Sequence, residues 1–89
     1  NMKDKEIRII TERIMALIEN HKDGDRVTMA ELVKETGAGT KDFDIEDMFE
    51  IQTAVFDAAK ERGIKLDISE HEGKFEGLPF QLACLINRN

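Results

Sequence analysis

Apolar residues recur along this chain with two different periods. From residue 3 to 21, Ile7, Ile10, Ile14, Leu17 and Ile18 follow i, i+3, i+4 spacing and predict an amphipathic helix. His21 falls on the same stripe at the helix end, and Ile9 falls on the polar side with Glu12, Arg13 and Glu19. The run NHKDGD (20–25) breaks the pattern with Gly24 and turn formers. Arg26-Val27-Thr28 then reads as one short strand. Thr28-Met29-Ala30-Glu31 has the spacing of a capping box, with Val27 and Leu32 placed as the matching hydrophobic staple. A short helix is therefore expected from Met29 to about Thr36, ended by a left-handed Gly37.

Residues 37–43 (GAGTKDF) read as a connector. Asp44 is placed to cap a second long helix over 44–62, with Asp47 at its third position and Gly63 as its stop. Ile45, Met48, Phe49, Ile51, Val55, Phe56 and Ala59 are expected to line its apolar face, with Gln52 near the middle as a buried amide in need of a partner. From Ile64 the period changes to two. Ile64, Leu66 and Ile68 alternate with Lys65, Asp67 and Ser69, and Phe80, Leu82, Cys84 and Ile86 alternate again, with Ala83 and Leu85 on the reverse face. Residues 70–79 (EHEGKFEGLP) predict a loop or long hairpin tip, and Pro79 suits the entry to an edge strand.

The expected class is thus α+β, in the order α-β-α-α-β-β, within one domain over residues 2–89. Asn1 reads as a residue added ahead of a natural start at Met2. This element order, together with the segment RVTMAELVKETG (26–37), resembles the winged-helix family over Lys3 to Arg88. The resemblance implies a three-helix cluster with a C-terminal β-hairpin beside the third helix. The connector Gly37–Phe43 is longer than the tight turn usual in that family. The step Gly77-Leu78-Pro79-Phe80 also resembles small bacterial proteins with no assigned activity.

Charge changes what that resemblance implies. The 89 residues carry 13 Lys/Arg against 19 Asp/Glu, a net charge of −6. In a DNA-binding winged helix, residues 44–62 would enter the groove and residues 69–79 would form the wing, both rich in Lys/Arg. Here Asp42, Asp44, Glu46, Asp47, Glu50 and Asp57 are six acids with no base among them, and they equal the whole surplus. The candidate wing, with Glu72, Lys74, Phe75, Glu76 and Leu78, is acidic as well. The acidic helix or the hairpin edge therefore reads as a protein-interaction surface, with a DNA-binding transcriptional regulator as the alternative. The basic residues of the first third (Lys3, Lys5, Arg8, Arg13, Lys22, Arg26) are interleaved with acids and read as a solvated helix face.

No catalytic, cofactor or metal site is expected. His21 with Asp23 and Asp25, and His71 with Glu70 and Glu72, lack the spacing of a ligand set, and Cys84 falls on an inward strand face. Gly37-Ala38-Gly39-Thr40-Lys41 has the wrong glycine spacing for a phosphate loop and follows no strand. The pairs Glu46/Glu50 and Asp44/Asp47 are explained by helix capping and solubility. A single cysteine cannot form an internal disulfide, and the N-terminus alternates charge rather than presenting a signal sequence, so the expected setting is the cytoplasm. With a thin core at this size, homodimerisation through the first helix or an exposed last strand is a further expectation.

Overall fold

The computed structural model describes residues 2–38, 41–70 and 83–88. Its elements are α1 (Met2–Asn20), β1 (Arg26–Thr28), α2 (Met29–Glu35), α3 (Ile45–Glu61), β2 (Ile64–Glu70) and β3 (Ala83–Arg88). The three strands form one antiparallel sheet in the order β1-β3-β2. The class is α+β, with three helices and a three-stranded sheet among the described residues.

Helix α1 supplies the largest share of the core. Ile7, Ile10, Ile14 and Ile18 are buried as their spacing requires, and Leu17 packs at the margin. Each such side chain fully removed from water contributes about 1.5–3 kcal/mol. Met15, on the flank of the expected stripe, is fully buried too. Thr11 is the one buried polar residue among those described, and its hydroxyl donates to the carbonyl of Ile7 at 2.8 Å, so it leaves no unmet group.

Both caps form, but the box expected at Thr28 closes on one side only. Thr28 Oγ1 accepts from the Glu31 amide at 3.1 Å, and Val27 and Leu32 join the core beside it. The full reciprocal box lies at α3: Asp44 accepts from the Asp47 amide at 2.9 Å, and Asp47 accepts from the Asp44 amide at 3.1 Å. Gly37 and Gly63 hold φ of +72° and +76° at the ends of α2 and α3.

Helix α3 departs from the expected face. Its buried stripe is Ile51, Val55 and Ala59, with Met48 and Phe56 partly covered. Ile45 and Phe49 point outward, at 57% and 41% exposed. The arc drawn through every apolar side chain was wider than the arc that finds cover. At 100° per residue, Phe49 lies roughly 120° around the helix from the centre of the buried stripe. Gln52 sits at the edge of that stripe and is half-buried, not at its centre.

The sheet brings a second correction. The last strand is central, not an edge. On one side β3 pairs with β1 through Arg26↔Leu85, Val27↔Cys84 and Thr28↔Ala83. On the other it pairs with β2 from Ile64↔Arg88 to Ile68↔Cys84, with a register shift before Glu70↔Ala83. The pairing with the β1 side extends into the turn, where Gly24 donates to the Ile86 carbonyl and Ile86 to that of Asp25. Alternation with period two reports which face a residue takes; it carries no information on which neighbours a strand has. Pro79, on which the edge expectation rested, lies outside the described residues. Along β2, Ile64 is buried and Leu66 half-covered, but Ile68 on the same face is 55% exposed.

Candidate functional site

The six acids of the sequence stripe do not stay together in space. Glu46, Glu50 and Asp57 occupy one line of α3 at i, i+4 and i+11, with Thr53 completing it. With Phe49, Ala54 and the edge of Ile7 from α1, they line an open groove of about 580 Å³. Ile45 lies one turn before Phe49, so two exposed apolar side chains run beside a row of three exposed carboxylates. Three acids of the stripe thus share one surface with exposed apolar area.

The other acids have different duties. Asp47 is half-buried and spent on structure: it closes the capping box and meets Lys3 Nζ at 3.0 Å. The Lys3 hydrogen bond, followed by that of the Asp44 amide, holds its carboxyl below the ordinary 3.8. The same contact raises Lys3 above its ordinary 10.5, and the charges of Asp44 and Asp42 add to this. The stripe is free of bases in the sequence, but the fold brings one to it. Asp44 accepts from the Asp47 amide as the cap. Asp42 lines a separate groove between α1 and the connector, with Glu6, Ile9, Ile10, Arg13 and Phe43. Arg13 is the one base among those residues, against Glu6 and Asp42.

The candidate wing residues Glu72, Lys74, Phe75, Glu76 and Leu78 lie outside the described residues, as does His71. His21 is half-buried at the end of α1, where Nδ1 lies 2.7 Å from the Leu17 carbonyl. A carbonyl oxygen only accepts, so Nδ1 carries the proton and the ring serves as a helix-end group. Cys84 is buried on the central strand, and burial, aided by the Asp67 charge, pushes its thiol up to about 11. At neutral pH it is a small hydrophobe. Among the described residues no three His, Cys, Asp or Glu side chains converge as a metal-binding group. No helix formed by those residues is long and apolar enough to cross a membrane.

Two arginines were missed by sequence reasoning. The guanidinium of Arg62, just past α3, reaches Glu12 at 2.8 Å and Glu19 at 3.3 Å on α1. Together with Lys3–Asp47, this sets start against start and end against end, so α1 and α3 run in the same sense. Arg88 Nη2 lies 2.7–2.8 Å from the carbonyls of Ile18, Glu19 and His21, closing the C-terminus of α1 from the far end of the chain. Neither contact has a local signal, because the partners are at least 43 residues apart. No family model matches the chain, and neither a curated protein nor a solved structure matches it.

Proposed function

We propose that this chain is a non-enzymatic binding module of winged-helix type whose α3 groove takes a basic protein segment carrying an apolar anchor. The element order supports the fold part of this reading. The observation that carries the functional part is the placement of Ile45 and Phe49, both exposed, beside Glu46, Glu50 and Asp57. An exposed aromatic is a preferred interface anchor, and carboxylates around it favour Lys or Arg on the partner. The same residues argue against the DNA alternative, since phosphates entering this groove would face three carboxylates and no base among its lining residues.

A synthetic Lys/Leu amphipathic peptide, titrated into the labelled protein and followed by NMR, tests this reading. Shifts are expected at Glu46, Phe49, Glu50 and Asp57. Phe49→Ser, which leaves the charge unchanged, and the triple reversal E46K/E50K/D57K are each expected to weaken binding about tenfold or more. Binding that survives Phe49→Ser intact, or a salt-sensitive mobility shift with duplex DNA, would overturn it.

A further inference from the structure

We infer that the outer edge of β2 is a self-complementary interface through which two copies of this chain join their sheets. Strand β2 is the long edge of the sheet, and among the described residues no strand pairs with its outer side. Such an edge offers a row of unpaired amides and carbonyls to another strand. What selects the partner is the sequence IKLDI (64–68).

A two-fold axis perpendicular to the sheet pairs β2 antiparallel with its own copy and keeps each residue opposite one on the same face. The axis must then pass beside a residue. Beside Lys65 it sets two lysines against each other, and beside Asp67 two aspartates. Beside Leu66 it sets Lys65 against the second copy's Asp67 twice, Leu66 against Leu66, and Ile64 against Ile68. Only this central register joins opposite charges, and opposite charges across strands are favourable where like charges are not. In one copy Lys65 Nζ already sits 3.3 Å from Asp67 on the same strand, with the lysine side chain 71% exposed, so pairing exchanges two intrachain contacts, one in each copy, for two interchain ones.

Shape agrees with charge. Beside this edge, between α3 and β2, lies an open and mainly apolar groove of about 400 Å³ lined by Phe56, Lys60, Gly63, Ile64, Lys65 and Leu66. Ile68 is the most exposed apolar side chain of the sheet among the described residues. In the central register the second copy's Ile68 arrives opposite Ile64, on the face that looks toward α3, where the groove is open. One copy thus carries both the projecting side chain and the recess, and the two-fold axis fits each to the other. The register shift after Ile68 limits the paired stretch to the residues that match. This interface shares no lining residue with the acidic α3 groove, and its failure leaves that reading untouched.

Sedimentation over a concentration series to the millimolar range tests it with four forms of the full chain. The parent chain is expected to dimerise reversibly. Ile68→Asp, at an exposed position that costs the monomer little, is expected to abolish the dimer. Lys65→Asp is expected to weaken it about tenfold, and K65D/D67K to restore it. A parent chain that stays monomeric, a dimer indifferent to Ile68→Asp, or a double variant weaker than Lys65→Asp while still folded by circular dichroism would overturn the proposal.

Discussion

Arg88 shows how one side chain can complete an element far from it in sequence. The last turn of a helix leaves carbonyls without intrahelical donors, and a cation there also meets the negative end of the helix dipole. At the end of α1 the donor is the Arg88 guanidinium, while the Arg88 amide donates to Asp23 at 2.7 Å. Arg88→Ala leaves the Ile18, Glu19 and His21 carbonyls to find water from a half-covered position. The variant is expected to lose about 1–3 kcal/mol, the scale of a charge-assisted hydrogen bond, read as a lower urea midpoint at unchanged slope. Arg88→Lys keeps the charge but not the fork, and is expected to recover only part of the loss.

At the scale of elements, the same chain signals that start and stop the helices also aim them. Asp44 and Asp47 cap α3, and Gly63 turns its end directly into β2 with φ of +76°. A Cβ added at Gly63 meets no atom within 4 Å, so the cost of Gly63→Ala is that of the left-handed backbone alone, about 1 kcal/mol. Thermal unfolding of Gly63→Ala is expected to show that modest loss. A change several times larger would mean that the α3–β2 junction is packed more tightly than its geometry indicates. The turn also decides what α3 can offer: it lays the Ile51–Val55–Ala59 stripe over the sheet and turns Phe49 with the carboxylate row outward.

At the scale of the whole molecule, ion pairs tie the two long helices together at both ends. The Lys3–Asp47 pair predicts a pH window with a definite sign. Asp47 is depressed in the folded chain, so its contribution is complete above the unfolded value of 3.8 and is lost as pH falls through the lower folded value. Lys3 is raised, so its contribution is complete below 10.5 and is lost as pH rises through the higher folded value. Urea midpoints of the parent and Asp47→Asn are therefore expected to differ at neutral pH and to converge as the pH falls from 3.8 through the lower folded value. A gap that persisted in acid would assign the loss to the amide itself and not to the charge.

The sequence by itself determined the elements and their order. Caps at Thr28 and Asp44, left-handed stops at Gly37 and Gly63, and the change of period at Ile64 all act within a few residues, so they are readable before any folding. The α1 stripe was legible for the same reason. It also determined that the charge surplus falls between Asp42 and Asp57. Only the tertiary structure decided which strand is central, which arc of α3 is covered and which acids remain available. A strand's neighbours, a helix's covered arc and the partners of Lys3, Arg62 and Arg88 depend on where distant segments come to rest. That is why Asp47 became structural, Phe49 became surface, and β2 rather than β3 was left as the open edge.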